Sequence, residues 1–172
     1  MSLDELLPLV DEQGTVIGQA TRSAVHKNRE LLHPVVHCLV ESRDRRLLLQ
    51  QRSLLKDIQP GRWDTSVGGH VSLGETIESS VVREIAEELG LVVTLAQLKP
   101  LYRYVMRSEV ETELVYTYWL TSDGPFRLES GEATALRFFT LTEIREQLGT
   151  GFFTPNFEDE FARFLAVRDT LT

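Results

Sequence analysis

The chain is poor in everything that would staple it, anchor it or draw it to a polyanion. One cysteine, Cys38, stands among 172 residues, which excludes a disulfide framework and fits a reducing compartment. No apolar run reaches the roughly 18 residues that a membrane span requires, and residues 1–10 carry no basic-then-apolar leader. The expectation is a soluble, unexported, cytoplasmic protein without a membrane partner. Positive charge is also short: 18 Lys and Arg face 26 Asp and Glu, a formal net charge of −8. Such a surface has no field for gripping a nucleic-acid polymer, so any anionic ligand needs a local cationic remedy. Repeats, low-complexity tracts and linkers are missing too, and residues 1–172 are expected to form a single domain.

What is present reads as strands with helices among them. "LLPLV" and "TVIGQA" flank the turn-forming "DEQG" and predict a hairpin. A polar stretch, "TRSAVHKNRE", leads to two central strands, "HPVVHCLVES" and "RRLLLQQR", and then to a loop, "LLKDIQPGRWDTS". Further on, "LVVTLAQLKPLYRYVMR" and "ETELVYTYWLTS" read as strands joined by a turn near residues 108–110. "ATALRFFTL" reads as another strand, "LTEIREQL" as a helix capped by Thr142, and "TPNFEDEFARFLAVRDTL" as a closing amphipathic helix. Phe157, Phe161 and Phe164 fall on one face of that helix, while the acidic residues 158–160 are expected to be solvated. Cys38 and His37 are assigned structural places in their strand, and Trp63 an anchoring place beneath its loop. The pattern predicts the α/β class, with a mixed sheet covered by helices.

The chemistry concentrates in "GGHVSLGETIESSVVREIAEELGL", residues 68–91. At about 100° per residue, Ile77, Val81, Ile85 and Leu89 form a core-facing stripe with Val82 beside it, and Gly90 supplies a left-handed stop. Glu84, Glu87 and Glu88 are neighbours by their spacings of three and four, at the seam of that stripe. Two carboxylates about 4 Å apart repel by about 4 kcal/mol at an effective dielectric near 20, so a solvated face is a strained explanation for three of them. A hard divalent cation relieves the repulsion and commonly bridges to substrate phosphates. Arg83 can hold one glutamate in a charge-assisted pair, and the glycines let backbone approach an ion or a phosphate.

This segment resembles the Nudix box, G-x5-E-x7-R-E-U-x-E-E-x-G-U with U aliphatic, at Gly69, Glu75, Arg83, Glu84, Ile85, Glu87, Glu88, Gly90 and Leu91. The resemblance implies a Nudix fold, an α/β/α sandwich with a central mixed β-sheet, and a Mg²⁺- or Mn²⁺-dependent hydrolase. Its substrate would be a small-molecule diphosphate, a nucleoside diphosphate linked to some moiety X. Carried over by position, Glu84, Glu87, Glu88 and the Gly69 carbonyl would hold metal, Glu75 and Arg83 would support them, and the general base would be Glu84 or Glu88.

A narrower resemblance, to the isopentenyl-diphosphate isomerase branch, covers roughly residues 8–140 and rests on "HKNRELLHP", "LLLQQRSLLKDIQPGRWDTSVGGH" and "ETELVY". It implies a second divalent metal site at His26, His33, His70, Glu111 and Glu113, and diphosphate contacts from Arg52 and Lys56. Spacing alone places Glu111 and Glu113 on one strand face, and three imidazoles with two carboxylates suit a divalent ion. Those isomerases carry a catalytic cysteine directly before the glycine-histidine pair, where this chain has Gly68. Hydrolysis is therefore ranked above isomerisation of a prenyl diphosphate. A catalytically silent nucleotide-binding module ranks last, because the glutamates are intact. A homodimer would have to form through a sheet edge or the closing helix.

Overall fold

The computed structural model describes residues 4–128, 131 and 133–171; residues 1–3, the head of the segment inspected for a leader, lie outside them. In chain order the elements are β1 (Leu6–Val10), β2 (Val16–Thr21), α1 (Arg22–Val25), β3 (Leu32–Glu41), β4 (Leu47–Arg52), β5 (Trp63–Asp64) and β6 (Val67–His70). They continue with α2 (Ile77–Leu89), β7 (Lys99–Arg107), β8 (Thr112–Thr121), β9 (Ala133–Phe139), α3 (Leu141–Gln147) and α4 (Pro155–Arg168).

β1 and β2 make the expected hairpin, closed by the Asp11 side chain accepting from the Gln13 and Thr15 amides. β3 is the spine of the main sheet. One edge pairs in parallel with β8 along its whole length. The other edge is divided: β6 pairs antiparallel over residues 35–38, whereas β4 meets β3 only where Glu41 faces Leu47. Ser66 holds the fork together, its hydroxyl donating to the Leu48 carbonyl and accepting from the Val40 amide. β7 pairs with β8, and β5 and β9 pair with β4, so the sheet is mixed.

Alternation along β3 separates two cores. Val36, Cys38 and Val40 pack with Val81, Ile85 and Leu89 of α2, whereas Leu39 packs with Leu47, Leu49 and the Phe157, Phe161 and Phe164 face of α4. Helices thus cover both sheet faces, giving the α/β/α sandwich. Cys38 is fully buried, which pushes its thiol pKa up and leaves it a core residue. Trp63 anchors its loop as expected, edge-on to Phe139 and stacked on Phe152.

Several expectations need correction. The first residues of "LVVTLAQLKP" are not strand; Leu95–Gln97 form a single 3-10 turn, stapled by the Gln97 side chain accepting from the Thr94 amide. Thr140, not Thr142, caps α3, because its hydroxyl reaches the Glu143 amide while Glu143 reaches back to the Thr140 amide. Part of the loop "LLKDIQPGRWDTS" is β5, and the polar stretch after the hairpin contains α1. Among residues 158–160, Glu160 is not solvated: it is 0% exposed, because it lies on the α4 face that carries the phenylalanines.

Because Ile85 is fully buried between α2 and the sheet, Ile85→Ala is expected to cost about 2–5 kcal/mol of unfolding free energy. Val92→Ala, at a site 93% exposed, should stay within about 0.5 kcal/mol. Urea titration of both variants checks this, and equal shifts would contradict the assignment of the α2 core face.

Candidate functional site

A cleft of about 1020 Å³ lies over the divided edge of β3, with the α2 glutamates, His26, His70, Glu111 and Glu113 among the residues that line it. α2 starts with Thr76, whose hydroxyl accepts from Ser79, and stops at Gly90 with φ 67°, as its cap residues dictate. Glu84, Glu87 and Glu88 all reach the cleft.

Arg83 does more than the single pairing read from its position. Its Nε and Nη2 donate to the two oxygens of Glu75 at 2.8 and 2.9 Å, Nη1 donates to Glu84 at 2.8 Å and Glu87 at 3.1 Å, and Nη2 also reaches the His70 carbonyl at 3.0 Å. Hydrogen bonding from Arg83 dominates the Glu75 environment and, against the cost of burial, holds that carboxyl down at about 2. Glu75 also accepts from the Ser72 amide and the Ser80 hydroxyl, so it ties loop to helix. Glu88 accepts from the Gly68 amide at 3.1 Å and from Gln50 Nε2 at 2.9 Å. Gly69 is needed for close approach: a Cβ there would stand 2.0 to 2.4 Å from the carboxylate atoms of Glu84. The donor set is oxygen-rich and already crowded with negative charge, which fits a hard divalent cation held by Glu84, Glu87, Glu88 and the Gly69 carbonyl.

The second group is brought together as well. Ligand atoms of His26, His33 and His70 lie within 4.8 Å of one another, as do those of His33, Glu111 and Glu113. His26 Nε2 is 3.2 Å from His70 Nε2 and 3.1 Å from Glu111 Oε2. Glu113 stands opposite His33 in the β3–β8 register, and Glu111, one residue before β8, brings its carboxylate to the same side as expected. Among the described residues, both ring nitrogens of the 0% exposed His33 lack hydrogen-bond partners. Burial, and then the neighbouring imidazoles, push His70 down to about 3; burial likewise lowers His33, and burial with the Glu111 charge raises Glu113. A buried imidazole with both nitrogens unpartnered, beside two further imidazoles and two carboxylates, is chemically suited to a divalent ion.

Arg52 and Lys56 also reach the cleft wall, where the Arg52 guanidinium lies 3.7 Å from Asp64 and donates to the Ile58 carbonyl. Two residues were missed by sequence reasoning. His37, expected to be merely structural, lines the cleft and contacts Glu160 at 2.9 Å. The signal was available: His37 has the same strand parity as His33, and Glu160 lies three residues after Phe157 and four before Phe164.

An α/β/α sandwich whose loop-helix unit gathers these glutamates around one arginine defines the Nudix fold. The NUDIX domain model matches residues 31–159, and the chain belongs to the Nudix family. Among curated relatives, it is 29% identical over 168 residues to isopentenyl-diphosphate Delta-isomerase 1 of Photorhabdus laumondii, covering 94% of this chain and 95% of that protein. It is 34% identical over 146 residues to the isopentenyl-diphosphate Delta-isomerase of Streptomyces avermitilis, covering 83% and 74%. Among solved structures, DR0079 from Deinococcus radiodurans is similar with a TM-score of 0.71 at 27% identity, covering 86% of this chain and 90% of that one. A NUDIX hydrolase from Nitrosomonas europaea shares the fold with a TM-score of 0.63 at 21% identity, covering 81% and 95%. Among the described residues, no helix is long and apolar enough to cross a membrane.

Gly69→Ala should displace Glu84 and weaken Mn²⁺ binding about 10- to 100-fold while leaving the circular dichroism spectrum unchanged. Isothermal titration with Mn²⁺ measures this; wild-type affinity in the variant would remove Glu84 and the Gly69 carbonyl from the cation site.

Proposed function

We propose that the protein is a Mg²⁺- or Mn²⁺-dependent Nudix hydrolase that cleaves the diphosphate linkage of a small molecule, a nucleoside diphosphate joined to a moiety X. The observation that carries this reading is the convergence of Glu84, Glu87 and Glu88 on one cleft, with Arg83 and Glu75 bracing them and Gly69 leaving room for Glu84. A bound cation would neutralise the diphosphate and lower the pKa of a coordinated water. Arg52 and Lys56, on the cleft wall, would meet the diphosphate charge in an otherwise acidic protein.

The second reading is an isopentenyl-diphosphate isomerase-like enzyme acting on a prenyl diphosphate. It is favoured by the names of the curated relatives and by the assembled set of His26, His33, His70, Glu111 and Glu113. Against it stands Gly68, which offers no thiol where the isomerases have one, while Cys38 is buried in the core. Hydrolysis requires no protein nucleophile, so it is the reading preferred. In it His26, His33, His70, Glu111 and Glu113 would hold a second divalent ion in a supporting role.

Release of phosphate or nucleoside monophosphate should be measured on ATP, ADP-ribose, NAD⁺, coenzyme A and dimethylallyl diphosphate, beside an isopentenyl-to-dimethylallyl conversion assay. Chelator-sensitive release from one class is expected, with Glu88→Gln lowering kcat by about 10²-fold or more in a protein that still folds. Isomerisation without hydrolysis would reverse the ranking, and full hydrolysis by Glu88→Gln would remove that residue from the cation site. Purified protein is further expected to contain a stoichiometric divalent metal that His26→Ala reduces; elemental analysis finding none in either form would refute the second site.

A further inference from the structure

Glu160 is a carboxylate sealed inside an aromatic helix face. It accepts hydrogen bonds from His37 Nδ1 at 2.9 Å, Tyr102 Oη at 2.6 Å and Thr117 Oγ1 at 3.0 Å. Burial would raise its carboxyl, but those bonds, His37 first among them, outweigh burial and keep it below the usual range. A buried charge contributes little to stability compared with a well-packed apolar residue, so core filling alone does not account for a glutamate here.

The geometry points beyond α4. An ionised carboxylate only accepts hydrogen bonds, so His37 must present Nδ1–H to Glu160, and in the neutral ring the lone pair is then on Nε2 at the other end. Nε2 takes no partner among the described residues, and the imidazole lines the cleft. A Cβ at Gly68 would stand 3.3 Å from His37 Cδ2 and 3.5 Å from Nε2, so the missing side chain is what leaves that ring edge uncovered. The amide of the same glycine donates to Glu88. The imidazole edge and the box carboxylate therefore flank one residue.

We propose that His37 is the proton acceptor of this cleft and that Glu160 is its positioning residue; the assignment rests on the hydrolase reading. Nε2 takes one proton from a water as that water's oxygen bonds to phosphorus. The bridging P–O bond breaks with its electron pair passing to the departing oxygen. The imidazolium, balanced by the Glu160 carboxylate, then returns its proton to the departing group or to solvent. This role replaces the general base first placed at Glu84 or Glu88, which the cation would occupy.

The test uses the full chain with Mg²⁺ and whichever of the five compounds the wild type cleaves. His37→Ala is expected to lose about 10²- to 10⁴-fold in kcat with KM changed by no more than about threefold. Added imidazole should restore turnover saturably by occupying the emptied space. Glu160→Gln should lower kcat without imidazole rescue, and Tyr102→Phe, which deletes one donor to Glu160 and keeps the ring, should lower it by less. Retained kcat in His37→Ala, or a loss that imidazole does not restore, overturns the proposal. If the wild type cleaves nothing, the hydrolase reading fails separately, and imidazole ¹⁵N NMR decides the dyad. Nδ1–H with an unprotonated Nε2 that changes on Glu160→Gln upholds it, and Nε2–H overturns it.

Discussion

The guanidinium of Arg83 is the contact on which the rest of the site depends. Carboxylates about 4 Å apart repel by about 4 kcal/mol at an effective dielectric near 20, yet the loop and α2 bring Glu75, Glu84 and Glu87 onto one cation. Arg83 spends its donors on all three and on the His70 carbonyl, which fixes the loop against the helix. One positive charge does not neutralise three negative ones, and Glu88 adds another at the same wall. The arrangement is therefore held in shape by protein contacts, with Glu84, Glu87 and Glu88 lining the cleft. An oxygen-rich wall of this kind is chemically suited to a divalent cation.

Backbone topology decides where this charge meets the other groups. β3 is paired along one edge by β8 but only partly along the other, by β6 and then by β4 at a single position. The strand thus presents His33, Val35 and His37 on one face, while Val36, Cys38 and Val40 bind it to α2 on the other. The same residue run builds the core and the cleft floor. Ser66 closes the fork with two hydrogen bonds that an apolar side chain would leave unmade, at a buried place where unpaired backbone groups are costly.

The glutamate set was legible because helical geometry converts spacing directly into adjacency: positions 84, 87 and 88 are neighbours on any helix that buries Ile77, Val81, Ile85 and Leu89. The hairpin was legible for a similar reason, since Asp11 and Gly14 supply turn chemistry between two apolar runs. The histidine and glutamate cluster was reachable only through resemblance, because its members come from α1's end, β3, β6, the turn before β8 and β8 itself. β6 itself was hidden by its two glycines, which carry no strand propensity; pairing with β3 makes it a strand. Glu160 was misread because Glu158 and Asp159 precede it and make the segment look uniformly solvated, although its phase relative to the phenylalanines places it inside. The Thr140 cap was lost to a second threonine two residues on, where only the reciprocal Glu143 contact decides between them.

Position 68 connects these observations. In the isomerases that the chain resembles, a cysteine side chain projects from this place, whereas here glycine leaves it empty and the His37 ring edge faces it within van der Waals distance of where a Cβ would stand. A side chain at 68 would start against the ring edge that Glu160 orients, 3.3 Å from Cδ2 and 3.5 Å from Nε2. Position 68 and the half-buried imidazole at 37 therefore meet at one contact and are not independent choices. The absence of cysteine, read from sequence alone, counted only as a loss. With the strands in register, it becomes a feature of the cleft, setting glycine at 68 against a carboxylate-backed imidazole at 37.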